Sequence, residues 1–265
     1  MAWSEPVEEA DRLKREWNRR GQSDLRDLYI ASHPGWDDPA EWRRRAELDV
    51  GFILTGIDEA SLSTLDVLEI GSGVGRLALE LAPRVRSYTG IEIAPSILEE
   101  AQARCAALPN ARFFEGDGTS VPEAARDREY GFVFSASVFI HCPKDVIEAN
   151  LHAMKGAVAP GGLVRYQLLA LLSDEEGLDA PPAAPAESAP CEPTAEADAQ
   201  LAEAEVDLLA PIREAGEEDL VGEGYMGHQF PFTDAHSMSE GVFGDDVSLM
   251  RLGRPFIIGD WTRRG

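Results

Sequence analysis

TLDVLEIGSGVGRLALELA, residues 64–82, has the pattern of a buried strand, a glycine turn and a helix. The apolar run from Leu65 to Ile70 is typical of a parallel strand covered on both faces, and a largely apolar helical pattern follows the turn. The glycines at positions 71, 73 and 75 permit a sharp bend and let a ligand approach the backbone. Arg76 stands where a G-x-G-x-x-G dinucleotide fingerprint needs its third glycine. The stretch predicts a ligand-binding turn in an α/β fold, with a plain turn of another α/β protein as the alternative.

A second predicted strand, Ser87 to Ile93, carries an acidic residue near its end. Glu92 can accept hydrogen bonds from both ribose hydroxyls of an adenosine, as the acidic residue at this place does in nucleotide-binding folds. Ile93, which follows it, is a candidate to pack on the adenine ring. A helix is predicted over Ala94 to Ala107, with a proline suited to its first turn. These features favour an adenosine ligand without deciding which one.

Three further strands are predicted. The third, Ala111 to Glu115, runs into Asp117, whose carboxylate can accept the adenine amino proton; a solvated turn aspartate is the alternative. The fourth covers Tyr130 to Ser137 and leads to a helix over Lys144 to Ala157. The fifth ends at Leu169 and follows a Pro-Gly-Gly turn.

The E-x-G-x-G-x-G motif from Glu69 to Gly75, followed by two strands with acidic ends, resembles class I S-adenosylmethionine-dependent methyltransferases. The resemblance covers residues 64–169. It implies an α/β, Rossmann-like fold: a seven-stranded, mostly parallel sheet with helices on both faces, an N-terminal helical extension and strand order 3-2-1-4-5-7-6. Val247–Leu252 and Pro255–Trp261 would form the closing antiparallel pair. It also implies S-adenosylmethionine as cofactor, held by Glu69, Gly71, Ser72, Gly73, Gly75, Arg76, Glu92, Ile93, Asp117, Gly118 and Ser135.

The segment after the fourth strand, Ser137 to Pro143, resembles that of a small-molecule branch of the superfamily. The resemblance places His141 at the mouth of the cofactor site, where an imidazole can take a proton from a hydroxyl or amine. A histidine that only shapes the pocket wall is the alternative, since methyl transfer needs mainly alignment and desolvation. Residues 135–138 read SASV in place of an N-P-P-Y or D-P-P-Y motif, which argues against amide and nucleobase acceptors.

Two regions outside the core are candidates for the acceptor pocket. The first sixty residues look helical, with helices over Glu8–Arg20 and Ala40–Ile57 and an aromatic segment between them. We expect four parts: an N-terminal helical cap (1–60), a cofactor-binding core (61–172), an acidic Ala/Pro/Glu-rich insertion (173–220) and the C-terminal part of the fold (221–265). Candidates for the pocket wall are Tyr29, His33 and Trp36 from the cap, and His228 and His236 from the C-terminal part.

The composition indicates an acidic enzyme of one principal domain. The formal net charge is −24, and residues 173–220 alone hold 15 acidic side chains and one basic side chain. Such a surface repels phosphate backbones and argues against a nucleic-acid partner. Neither a signal peptide nor an apolar run long enough to span a membrane is indicated, which makes the cytoplasm the expected compartment. Cys105, Cys142 and Cys191 are far apart, without metal-site spacing, and no metal is expected.

The sequence therefore predicts an enzyme that transfers a methyl group from S-adenosylmethionine to an oxygen or nitrogen of a small-molecule acceptor. One rival is a catalytically silent adenosylmethionine-binding scaffold protein. A second is a nicotinamide dehydrogenase, which Arg76 and the lack of an evident hydride-transfer site disfavour. The identity of the acceptor and the oligomeric state stay undetermined.

Overall fold

A mostly parallel β-sheet lies at the centre of the computed structural model, which describes residues 6–171, 209–221, 227–252 and 256–265. Its strands are β1 (Asp66–Ile70), β2 (Ser87–Glu92), β3 (Ala111–Glu115), β4 (Tyr130–Ser135), β5 (Val158–Ala170), β6 (Gln229–Phe230), β7 (Ser248–Leu252) and β8 (Phe256–Thr262). The helices are α1 (Pro6–Gly21), α2 (Arg26–Ile30), α3 (Pro39–Ile53), α4 (Arg76–Leu81), α5 (Pro95–Arg104), α6 (Lys144–Ala157), α7 (Ala210–Glu214) and α8 (Phe232–Phe243).

The strand order is β3-β2-β1-β4-β5-β8-β7. Strands β1 to β5 are parallel, and β8 runs antiparallel to both β5 and β7. This is the predicted order, since β7 and β8 are the two strands predicted to close the sheet. An eighth strand, the two-residue β6, pairs with β5 and was not predicted. Its sequence is too short to show a period of two, so only its pairing reveals it.

The order of the strands reverses at β1, which pairs with β2 on one side and β4 on the other. All five residues of β1 are buried, because helices cover both faces of the sheet. In open α/β sheets, ligands bind outside the carboxyl ends of the strands at such a reversal. The topology therefore directs attention to the ends of β1, β2 and β4.

Side chains of β4 alternate between two apolar cores. Phe132 and Phe134 pack with residues of α3 and α4 on one face of the sheet. Val133 packs with residues of α6 and α8 on the other face. This alternation is the strand's period of two, and it places helices on both faces as predicted.

Residues 209–221 pack on the N-terminal helices. Ile212 and Leu220 share a small apolar cluster with Leu28 and Tyr29. The carboxylate of Glu217 accepts hydrogen bonds from Ser23 Oγ at 2.6 Å and from the Tyr29 hydroxyl at 3.1 Å. The rest of the predicted acidic insertion lies outside the described residues, as does the predicted turn at 253–255. Within the described ranges no helix has the length and apolar character that crossing a bilayer requires.

Candidate active site

The glycine turn after β1 has left-handed backbone at each of its three glycines. The φ angles of Gly71, Gly73 and Gly75 are 77°, 54° and 78°. A Cβ at Gly71 would collide with Val138, whereas a Cβ at Gly73 would come no closer than 3.4 Å to Ile30. Because L side chains rarely adopt this conformation, the turn requires glycine for its shape.

Glu92 supports this turn from the end of β2. Its carboxylate accepts hydrogen bonds from the backbone N–H groups of Gly73 and Ala94, both at 2.9 Å. Burial raises the pKa of Glu92, and these backbone hydrogen bonds oppose the increase. The side chain is 6% exposed and borders the same cavity as the glycine turn.

Glu69, in β1, is the second buried acid of the site whose pKa is raised. It is 2% exposed and accepts a hydrogen bond from the Tyr88 hydroxyl. Burial raises the pKa of Glu69 to about 8; nearby Arg76 lowers it and Glu92 raises it further. Arg76 itself is ion-paired to Asp49 of α3, with Nη1 and Oδ2 2.7 Å apart. Even with Arg76 nearby, the carboxyl group therefore holds a proton near neutral pH unless a further cation lies beside it.

A cleft runs along the glycine turn, bounded by the ends of β1, β2 and β4 and covered by Leu13 and Trp17 of α1. Eight of the eleven predicted cofactor residues line it. They are Glu69, Gly71, Ser72, Gly73, Arg76, Glu92, Ile93 and Gly118.

The other three predicted cofactor residues have different surroundings. Gly75 faces α5, where a Cβ would lie 2.6 Å from Cys105 Sγ. The Asp117 carboxylate is exposed and accepts hydrogen bonds from the backbone N–H groups of Thr119 and Ser120, at 2.8 and 2.7 Å. Ser135 donates to the Ile70 carbonyl oxygen at 3.0 Å. Asp117 thus has the turn geometry that was its alternative interpretation.

A second cavity, which we call the chamber, adjoins the cleft and encloses about 610 Å³. Its walls come from α2, α3 and the carboxyl ends of β4 and β5, together with Phe256 and Ile258 of β8. This volume is within the range of small-molecule binding sites. Six residues line both cavities: Ile30, Arg76, Leu77, Ala136, Ser137 and His141.

His141 stands where the cleft and the chamber meet, in a 3₁₀ turn after β4. Its ring meets the edge of Trp17, with 5.1 Å between the ring centroids and 68° between the planes. His141 is therefore within reach of a ligand in either cavity.

The predicted acceptor-pocket residues divide between the chamber and its surroundings. Tyr29 and His33 line the chamber. Trp36 packs instead against the apolar cluster of Leu28 and Tyr29. His228 lies behind the His141 turn, where its backbone N–H donates to Ile140 O at 2.6 Å, and it is not among the described residues that line either cavity. Burial lowers the pKa of His228, and nearby Arg12 adds to this.

The structure adds residues that the sequence did not single out. Ser137 has a φ of 58°, a left-handed conformation that is uncommon outside glycine, and its N–H donates to Gln167 Oε1 at 2.8 Å. Trp17 covers the cleft from α1. No local pattern marks Trp17, because its position depends on how α1 packs against the sheet.

Comparison with known proteins shows that the central part of the chain matches a protein family. Residues 67–162 match the sequence profile of the family described as "Methyltransferase domain". That range includes the glycine turn, the acidic end of β2 and the His141 turn.

Solved structures share the fold at low sequence identity. Magnesium protoporphyrin IX methyltransferase from Synechocystis PCC 6803, with bound S-adenosylmethionine, is 15% identical (TM-score 0.53; 99% of this chain and 98% of that chain covered). The N-methyltransferase NodS from Bradyrhizobium japonicum WM9, in complex with S-adenosylhomocysteine, is 12% identical (TM-score 0.55; 95% and 98% covered). An O-methyltransferase family protein from Burkholderia thailandensis is 14% identical (TM-score 0.55; 98% and 72% covered). The family match shows that residues 67–162 form a methyltransferase domain of the S-adenosylmethionine-dependent kind, and the neighbours share its Rossmann-like fold.

Proposed function

We propose that this enzyme transfers a methyl group from S-adenosylmethionine to an oxygen or nitrogen atom of a small-molecule acceptor. The observation that carries the proposal is that the cleft and the chamber adjoin each other. They share a wall that includes Ala136, Ser137 and His141. An acceptor in the chamber would meet the cofactor at this wall. One neighbour, the magnesium protoporphyrin IX methyltransferase, is named for a small-molecule acceptor, and another is an N-methyltransferase. Both names agree with the proposal.

The residues of the cleft fit the cofactor. Glu69 would face the amino group of its amino-acid end, Glu92 the ribose hydroxyls, and Ile93 the adenine ring. Ser72 Oγ is buried without a hydrogen-bond partner among the described residues, so a ligand group would satisfy it. When bound, the cofactor supplies a methyl group on a positively charged sulfur.

The protein's part in the reaction is mainly to align the acceptor and to keep water out. Such alignment contributes about 7–11 kcal/mol in well-oriented reactions. Trp17 and Leu13 cover the cleft, and Tyr29, Phe52 and Phe134 give the chamber apolar walls. His141 would accept the proton of the attacking hydroxyl or amine, because it lines both cavities at their junction.

The experiment has two stages. Calorimetry with S-adenosylmethionine, S-adenosylhomocysteine, NAD and NADP should show binding of the first two ligands only. A panel of hydroxylated and amino compounds is then screened for release of S-adenosylhomocysteine. Tight cofactor binding without turnover across a broad panel would favour the scaffold function, and binding of NAD or NADP instead would favour the dehydrogenase.

A further inference from the structure

The side chains that line the chamber carry a net positive formal charge, whereas those that line the cleft carry a net negative formal charge. Glu69 and Glu92 line the cleft, with Arg76 as the cation at its border. The described charged residues that line the chamber are three arginines and one acid, in a chain with 48 acidic and 24 basic residues. These residues are Arg45, Asp49, Arg76 and Arg165.

Two of the three arginines have partners within the protein. Arg76 is paired with Asp49, at 2.7 Å. Arg165 is paired with Asp260 through hydrogen bonds of 2.7 and 2.6 Å, and it also donates to the carbonyl oxygens of Ile53 and Thr55. Each of these two guanidinium groups therefore has its charge balanced by an acid of the protein.

Arg45 is the exception among the described residues that line the chamber. It is half-buried on α3, and among the described residues its side chain has neither an ion-pair partner nor a hydrogen-bond partner. The acids one turn before and after it on the helix are its natural partners. Both are engaged elsewhere: Arg44 holds the two oxygens of Glu41 at 2.7 and 2.6 Å, and Arg76 holds Asp49.

The rest of the chamber wall is suited to an apolar, ring-bearing molecule. Phe52 lies on the same helix as Arg45, two turns further along. Phe134 and Phe256 come from the sheet, and Tyr29 from α2. One positive charge at the edge of an aromatic cavity matches a ligand with one negative charge on an apolar body, because a doubly charged phosphate would leave a charge without a partner.

We propose that the methyl acceptor is an aromatic or similarly apolar molecule with one carboxylate, and that Arg45 binds this carboxylate. The inference rests on the proposed function of the chamber as the acceptor site. A guanidinium matches a carboxylate in geometry as well as in charge, since it can donate two parallel hydrogen bonds. Arg45 is thus a residue for acceptor specificity and takes no part in the chemical step.

The test uses the full chain saturated with S-adenosylhomocysteine. A panel of hydroxyaryl and aminoaryl carboxylic acids, each paired with its own carboxamide, is titrated by calorimetry. At least one acid should bind the wild type about 10- to 100-fold more tightly than its amide, which is the range for a charge-assisted hydrogen bond. Arg45→Gln should lose this preference and leave the affinity for the amide nearly unchanged.

Arg43→Gln is the matched control, because Arg43 lies on the same helix, is 70% exposed and pairs with Glu47 and Glu80 outside the chamber. It should keep the wild-type preference for acids. Arg45→Lys should recover part of the preference, since it restores the charge without the planar donor pair. The affinity for S-adenosylhomocysteine, measured first in each variant, reports whether the variant is folded.

The outcomes separate this inference from the proposed function. Equal affinity for acids and amides, no binding of any acid, or an unchanged preference in Arg45→Gln would each overturn the role of Arg45. Turnover with neutral acceptors alone would also overturn it while supporting the proposed function. Arg45-dependent binding of acids without methylation of any compound would support the carboxylate site and count against the proposed function.

Discussion

Glu69 is a buried acid whose protonation state depends on what lies beside it. Its pKa of about 8 has burial as the main cause, and Tyr88 provides its one neutral hydrogen-bond donor in the structure. A carboxyl group in this state is neutral in the free enzyme near pH 7. Its proposed role toward the amino group of the cofactor requires it to ionise, so binding and proton release are coupled.

We therefore expect cofactor affinity to depend on pH. Below a pH of about 8 the free protein holds the proton on Glu69, whereas a bound ammonium group favours the carboxylate. Affinity for S-adenosylhomocysteine should increase as pH rises from about 6, by at most tenfold per pH unit. It should level off above the pKa that Glu69 has in the free protein. Calorimetry in buffers of different ionisation enthalpy measures the released proton.

Glu69→Gln is the control for this pH dependence. It should bind S-adenosylhomocysteine more weakly and with an affinity that no longer changes between pH 6 and pH 8. A wild-type affinity that stays constant over this range would remove Glu69 from contact with the amino group.

His141 joins the two cavities, and its substitution tests whether it accepts a proton. His141→Ala should lower turnover by roughly 10²–10⁴-fold with little change in the affinity for S-adenosylhomocysteine, because general-base assistance acts in the transition state.

The contact between His141 and Trp17 calls for a second variant. Trp17→Phe keeps an apolar ring over the cleft and alters the packing on the imidazole. If His141 only holds α1 in place, both variants should raise the acceptor KM and leave kcat near the wild-type value. Loss of kcat in His141→Ala alone would support the proton acceptor.

At the scale of elements, Gly75 sets how closely the start of α4 approaches α5. Its φ is 78°, and a Cβ there would lie 2.6 Å from Cys105 Sγ. The sequence predicts Gly75 as a cofactor residue, but in this structure its immediate contact is this helix packing. The third glycine of the turn therefore contributes to the site through the position of α4.

We expect Gly75→Ala to destabilise the fold by more than left-handed backbone strain alone, which costs about 1–3 kcal/mol. Gly56→Ala is the matched control, because Gly56 also has a φ of 78° but has no atom within 4 Å of the added Cβ. Urea unfolding of both variants measures the difference. Combining Gly75→Ala with Cys105→Ala should recover part of the extra loss, and an equal loss in Gly75→Ala and Gly56→Ala would contradict the packing argument.

At the scale of the whole molecule, the most prominent feature is the net charge of −24. Self-repulsion of this charge opposes the compact state, and salt screens it. Salt also weakens exposed ion pairs, but each of these contributes at most about 1 kcal/mol. We therefore expect that salt stabilises the protein more by screening the repulsion than it destabilises it by weakening the ion pairs.

We accordingly expect the Tm to rise when NaCl is increased from about 20 mM to about 500 mM, because this increase shortens the Debye length several-fold. Differential scanning calorimetry measures this rise. A variant in which the acidic residues of 174–207 are replaced by Asn and Gln should gain less from salt. A Tm that falls with salt in the wild type would mean that ion pairs outweigh the net repulsion.

The sequence by itself determined the sheet and most of the cleft. Each acidic or glycine residue from Glu69 to Gly118 that lines the cleft lies at or near the carboxyl end of a strand. Parallel strands bring these ends to one edge of the sheet, so the order of the elements was sufficient to gather the residues. Buried strands and glycine turns have local sequence patterns, which is why the strands themselves could be predicted. Their order in the sheet was implied by the resemblance to class I methyltransferases.

Only the tertiary structure decided which neighbour each side chain faces. Gly75 faces Cys105 in place of the cleft. Arg45 has no ion-pair partner in the described part of the chain because Arg44 binds Glu41 and Arg76 binds Asp49. Trp17 covers the cleft only because α1 packs over the ends of the strands. Some of these contacts join elements that lie far apart in the chain, and others depend on which of two arginines binds a given acid. The local periodicity of the sequence carries no information about contacts of these two kinds.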